Sequence, residues 1–175
     1  MHVSGRLANV FGAAALAAAG AMASAAEAVT EGGLSAAAAL VTLASEPGIG
    51  VTELSRRVGL SQPGATRLIE GLAGRGLVRS EPEPGGRTVA VRLTAAGTEK
   101  ARLILAERER ALEALLAPLD DRARDELDAV LSRVLEGLTE AGAPAHRTCR
   151  LCDEQACIAA APCPVDQAWR RCRLC

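Results

Sequence analysis

Along most of this chain the apolar residues fall at three- and four-residue steps, but between residues 77 and 93 they alternate instead. A helical stripe and a half-buried strand demand different periods, about 3.6 and about 2 residues, so one segment cannot satisfy both. The chain must therefore be mainly α-helical with one short hairpin let into it. Just upstream, Thr52 is a plausible N-cap for a short helix with Leu54 and Val58 facing inward and Gly59 at its stop. Ser61 caps the next helix, and Pro63 sits in its first turn, where a missing N–H costs little. Ala65, Leu68, Ile69 and Leu72 form its apolar face, and Gly74 and Gly76 end it. Two short helices separated by Gly59-Leu60-Ser61 are a helix-turn-helix candidate. Leu77-Val78-Arg79 then reads as a strand, residues 82–86 as a turn, and Val89, Val91 and Leu93 as the returning strand. Helix-turn-helix plus hairpin is a winged helix-turn-helix with a two-stranded wing.

Helices flank this unit on both sides. Residues 36–44 read as a helix capped by Ser35 and closed by Pro47-Gly48. Thr94 starts a long helix with Ala101, Ile104, Leu105, Leu112, Leu115, Leu116 and Leu119 on its apolar side, ended or kinked by Pro118. Asp120 or Asp121 caps another, striped by Leu127, Val130, Leu131, Val134, Leu135 and Leu138. The N-terminus allows two readings. Arg6, an Ala-, Leu- and Gly-rich run and Ala21-Met22-Ala23-Ser24-Ala25 have the outline of a secretory signal. The same residues make an amphipathic helix, with Leu7, Val10, Phe11, Ala14, Ala18, Met22, Ala25 and Val29 on one stripe. No run reads as long and apolar enough for a membrane span. A small wing domain cannot bury three such stripes. A dimer interface built from the two ends of the chain would cover them.

Composition excludes several functions. Only Phe11 and Trp169 are aromatic and there is no Tyr, which argues against base-stacking modules and aromatic sugar clefts. The basic residues are 19 Arg and the single Lys100, and the histidines are His2 and His146, outside the well-patterned middle. A Gly-Lys-Ser/Thr phosphate loop is missing from the sequence, and a Ser-His-Asp or Cys-His device would need a terminal histidine. The expectation is that the protein is not an enzyme. Net charge is −1 overall, but residues 47–93 carry +3 between flanks of −2 and −4, compatible with a polyanion partner.

The run Ser61-Gln62-Pro63-Gly64-Ala65-Thr66-Arg67-Leu68-Ile69-Glu70-Gly71-Leu72, then Arg75-Gly76-Leu77-Val78, then Val89-Ala90-Val91-Arg92-Leu93-Thr94-Ala95-Ala96-Gly97 resembles the MarR (multiple-antibiotic-resistance regulator) family. The resemblance extends over roughly residues 5–140. It implies a homodimer on double-stranded palindromic operator DNA, and repression relieved by a small molecule or oxidant. It also makes the first helix a dimerisation element rather than a secretion signal. Ser61, Gln62, Thr66 and Arg67 have donors suited to phosphates and base edges. Arg79, at the start of the wing, is a candidate phosphate contact. Where the family commonly has Asp-Arg-Arg in the wing, this chain reads Gly85-Gly86-Arg87. Arg87 retains the charge for a narrow minor groove, without the Asp that would orient it.

Beyond Ala141-Gly142-Ala143-Pro144 the cysteines arrive together, and all six lie here. Cys149, Cys152, Cys157 and Cys163, the last followed by Pro164, are the expected metal ligands; His146, Cys172 and Cys175 are reserves. Four thiolates with a Cys-Pro end suit an iron–sulfur cluster, whereas the Cys-x2-Cys start and compact span suit zinc. Metal-free redox thiols are the third reading, with Arg147 and Arg150 favouring thiolate formation. Trp169 is expected to pack this tail onto the body.

The expected organisation is a dimerisation helix over residues 1–33, a winged helix-turn-helix over 34–94, dimerisation helices over 95–142 and a metal-binding or redox tail over 143–175. The functional expectation is a cytoplasmic DNA-binding repressor whose tail senses redox state or metal, its signal passing through the last dimerisation helix. The alternatives are a ligand-responsive repressor with a structural zinc tail, or an electron carrier or small metalloenzyme using the tail cluster.

Overall fold

Side-chain caps fix where several helices begin, and in the computed structural model, which describes residues 4–82 and 89–173, these starts organise the chain. Ser4 accepts from the Leu7 N–H at 3.2 Å and opens α1, Gly5–Val29. Ser61 opens α4, Gln62–Gly74, Thr94 opens α5, Ala95–Leu116, and Asp120 opens α6, Asp121–Glu140. Each offers an oxygen to the N–H three residues on, satisfying a donor the helix cannot.

Two expected caps are not caps. Helix α2, Gly33–Ser45, starts after Gly32, whose φ of +117° is left-handed, so Ser35 lies inside it. Helix α3, Val51–Val58, starts after Gly50, and Thr52 lies inside its first turn. In both cases the helix begins at a glycine before the more obvious polar residue is reached, Gly32 left-handed and Gly50 extended. Gly59, at φ +83°, ends α3 as expected.

The hairpin pairs β1, Val78–Pro82, antiparallel with β2, Val89–Leu93, from Val78 opposite Leu93 to Pro82 opposite Val89. β1 thus runs past the expected end at Arg79. The tip, including Arg87, lies outside the described residues. Residues 48–50 add a short third edge: Gly48 N–H donates to Val91 O, and Val91 N–H donates to Ile49 O, both at 3.1 Å. This holds the wing against the start of α3.

The core centres on α2. Ala36, Ala37, Ala38 and Ala39 are all fully enclosed, as are Leu40 and Leu43, and Leu54, Leu72, Val91 and Ile104 close around them. Helix α1 packs mainly along α5 and more briefly on α2. By length and composition α1 is long and apolar enough to cross a membrane, at mean hydropathy 1.5, contrary to the reading of its residues. Alanines that are individually weak apolar groups sum to that value over an 18-residue window. The core helix of a soluble protein or a signal sequence passes the same test.

Beyond α6 the tail forms α7, Ala145–Thr148, α8, Glu154–Ala159, and α9, Pro164–Arg173. It folds back instead of trailing away. Helix α9 packs along α6, where Arg171 reaches Glu136 and Glu140 at 3.1 Å each, and α7 packs on α3. Leu151, Val165 and Ala168 are the buried anchors. Trp169, expected in that role, is 43% exposed. Ala168, one residue away along the helix, faces inward in its place.

Candidate nucleic-acid interface and cysteine cavity

Helix α4 is held from beneath by Ala65, Ile69 and Leu72, which turns Gln62, Thr66 and Arg67 outward along its first turns. Ser61 spends its hydroxyl on the cap, accepting from Gly64 N–H at 3.3 Å. Gln62 Nε2 donates to Thr52 Oγ1 at 3.2 Å and so ties the starts of α3 and α4 together. Thr66 Oγ1 donates to Gln62 O at 3.0 Å, leaving its methyl and lone pairs to the exterior. Arg67 is exposed. The expected residues thus share one face, with Ser61 and Gln62 also shaping the helix pair that presents Arg67.

On the wing, Arg79 is 61% solvent-accessible by side chain and pairs with Glu81 at 2.9 Å. The register sets Arg79 directly opposite Arg92, which shares Glu81 at 3.2 Å. Arg92 was missed in sequence; only the strand register reveals it as Arg79's partner. One carboxylate between two guanidiniums leaves this strand pair cationic. On α3, Glu53 accepts from Arg57 at 2.9 Å and also pairs with Arg56, while Arg57 reaches Glu46. The Arg57 hydrogen bond, outweighing partial burial, holds the Glu53 carboxyl below the usual carboxylate range.

The tail thiols form the second site. Cys149, Cys152, Cys157 and Cys163 line a cavity of about 440 Å³ between the tail and the α2–α3 side of the body. Their thiols interact in a chain, Cys149 with Cys163, Cys163 with Cys157, and Cys157 with Cys152. All described cysteines are free thiols. Burial, reinforced by the neighbouring sulfurs, pushes the Cys149 thiol up to about 11 and the Cys157 thiol up to about 12, and burial also raises Cys152. The expected help from Arg147 and Arg150 does not prevail. Arg147 Nε instead donates to Arg56 O at 3.4 Å on α3, and Arg150 donates to Arg147 O at 2.6 Å.

His146 lines the same cavity, near Glu53 and Arg57, and burial lowers its basicity. Cys172 is exposed on α9, and Cys175 lies outside the described residues. As they stand, the described His, Cys, Asp and Glu side chains include no group of three or more arranged to hold a metal ion. Thiols already in mutual contact would have to turn toward a common centre to do so.

Residues 33–87 match the MarR family. No curated protein matches the chain. Among solved structures, the PcaV transcriptional regulator of Streptomyces coelicolor is 26% identical with a TM-score of 0.56, covering 72% of this chain and 95% of its own. RV1404 of Mycobacterium tuberculosis is 19% identical at TM-score 0.67, over 82% of this chain and 97% of its own. The M. tuberculosis MarR family protein Rv2887, solved in complex with DNA, is 20% identical at TM-score 0.60, over 73% and 96%. Helix-turn-helix, wing and flanking helices agree with these findings: residues 33–87 are similar to the MarR family, and the chain shares the winged helix-turn-helix fold of these solved structures.

Proposed function

We propose that the protein is a dimeric transcriptional repressor that binds an inverted-repeat operator in double-stranded DNA through α4 and the wing. The observation that carries this reading is the outward face of Gln62, Thr66 and Arg67 on a helix anchored by Ala65, Ile69 and Leu72. The charge-rich strand pair of Arg79 and Arg92 lies downstream of it, and Rv2887 was solved bound to DNA. Exposed Leu7, Val10 and Phe11 on α1, with Val130, Leu131 and Leu138 on α6, supply an apolar surface for the second copy. Two recognition helices related by a two-fold axis read half-sites about one helical turn apart. The protein works in the cytoplasm, where operator DNA lies.

The tail adds a sensor. Cys149, Cys152, Cys157 and Cys163 hold a metal centre, an iron–sulfur cluster in the first instance and zinc as the other occupant that thiolates accept. What supports this is the convergence of four soft donors on one cavity with no disulfide among the described residues. The effector is the oxidant or metal change that empties or alters the centre.

The test is operator selection followed by fluorescence anisotropy. Arg67→Ala should cost about 1–3 kcal/mol on the selected site and relax its sequence preference. Unchanged binding by Arg67→Ala and Arg79→Ala together would overturn the assignment of this face. Metal analysis and an absorption spectrum of anaerobically purified protein test the tail; metal-free, colourless protein that takes up neither zinc nor reconstituted cluster would remove the sensor.

A further inference from the structure

Arg108 offers the thiols a donor that nothing else uses. It lies on α5, four residues after Ile104 and seven after Ala101, so a long charged side chain occupies the buried stripe of that helix. Its Nε is enclosed and has no hydrogen-bond partner. Buried N–H groups on a guanidinium are almost always satisfied, because leaving one dry and unpaired is costly. Arg108 lines a second cavity, of about 340 Å³, whose walls include Met22 of α1, Leu135 of α6 and the same four cysteines. Its positive charge favours the thiolate form of Cys152, one of those four. The thiols are therefore a partition: the helix-turn-helix side lies before them, and α1, α5 and α6 lie behind with Arg108.

Neutral thiols are weak acceptors and leave the Nε–H unsatisfied. A metal centre changes that. Binding a divalent ion to four cysteines releases four protons to solvent and leaves a net charge of two minus on the metal and its four sulfurs together. Thiolate sulfurs in such a centre accept charge-assisted hydrogen bonds, and groups that donate to them tune metal affinity. We propose that Arg108 is the positioning residue of this centre, donating its orphaned Nε–H to a metal-bound thiolate, that of Cys152, and so tying the tail's metal to helix α5. The proposal rests on the reading that the four thiols bind metal, and it adds which body residue answers the bound charge.

The test uses full-length protein, reduced and stripped of metal, with cobalt(II) as the probe, because its visible absorption reports thiolate ligation. Parent, Arg108→Met, Arg108→Lys and Cys152→Ser proteins are titrated with cobalt(II), then competed with zinc(II). Arg108→Met should bind cobalt(II) about 10–100-fold more weakly than the parent, the range found when a supporting group behind a metal ligand is removed. Arg108→Lys, which keeps the charge but not the guanidinium geometry, should fall between. Thermal unfolding separates positioning from packing. Because the Nε–H is unpartnered in the metal-free protein, Arg108→Met should unfold no earlier than the parent without metal, and should lose part of the gain in Tm that metal brings. Equal cobalt(II) affinity in parent and Arg108→Met would overturn the assignment of Arg108 while leaving the metal site. An equal loss of Tm with and without metal would make Arg108 a packing residue and would also overturn it. A parent that binds neither ion, with Cys152→Ser indistinguishable from it, would remove the metal reading itself and this proposal with it.

Discussion

Replacing Gly97 by alanine should damage this fold more than any comparable addition of one methyl group, and the structure gives the size of the effect. Gly97 is the third residue of α5, and a Cβ there would stand 1.9 Å from the carbonyl oxygen of Leu77 and 2.9 Å from its carbon. A real Cβ essentially never comes within 3.0 Å of another heavy atom in this way, so the two backbones must part by more than about 1 Å. Neither is free to move. Thr94 N–H donates to Leu77 O at 3.0 Å, Thr94 Oγ1 donates to Gly76 O at 2.6 Å, and Gly97 N–H donates to Thr94 Oγ1 at 3.1 Å. Parting the segments breaks that knot. Overpacking costs about 1–3 kcal/mol, and orphaning a buried polar group about 1–3 kcal/mol, so Gly97→Ala should destabilise by about 2–6 kcal/mol. Domains are commonly stable by about 5–15 kcal/mol, so the loss is a large share of the whole. Urea unfolding followed by far-ultraviolet circular dichroism measures it, with Ala96→Gly as control. Ala96 is exposed in the same turn, and the control should cost no more than about 1 kcal/mol from helix propensity. Gly97→Ala within about 0.5 kcal/mol of the parent would refute the steric reasoning.

Gly71 makes the opposite case: nothing lies within 4 Å of a Cβ built there, in the interior of α4, so Gly71→Ala should stabilise by about 0.5–1 kcal/mol in the same assay. Glu53 should contribute to acid sensitivity. Its carboxyl is held below the ordinary value of 4.5, so its stabilisation is complete above that pH and is lost as pH falls through the lowered folded value. Glu53→Gln should therefore flatten the acid limb of the stability curve, by less than about 1 kcal/mol because the pair is partly exposed, and an unchanged limb would count against the Arg57–Glu53 bond. Phe11→Glu, on the exposed face of α1, should raise the dimer dissociation constant at least about tenfold, or about 1.4 kcal/mol; light scattering that returns an unchanged dimer would move the interface off α1.

The residues whose role depends on neighbours in sequence were legible, and those whose role depends on tertiary placement were not. Ser61, Thr94 and Asp120 cap helices because a side-chain oxygen three residues from an N–H is a local fact. Ser35 and Thr52 look equally good in sequence, but Gly32 and Gly50 begin those helices earlier. The outward placement of Gln62, Thr66 and Arg67 followed from the helical spacing of Ala65, Ile69 and Leu72 beneath them. The pairing of Arg79 with Arg92 did not, since it depends on a register set through a loop. Arg108 carried a signal that was there to be used, a charge on an apolar stripe beginning at Ala101. The tail was read as a cysteine cluster with no architecture. Its docking on α3 and α6 depends on Leu151, Val165 and Ala168 finding the body, contacts far apart in the chain.

Ala36, Ala37, Ala38 and Ala39 make α2 a shaft without rotamers. A core of leucines can absorb a nudge by swapping side-chain conformations, but methyl groups have no such alternatives. Helices α1, α5 and α3 all bear on this shaft. The tail touches α3 through α7 and α6 through α9. A tail that bears on α3 and α6 therefore meets a core whose alanines cannot yield by changing rotamer, so a displacement there is passed on to the neighbouring helices instead of being absorbed.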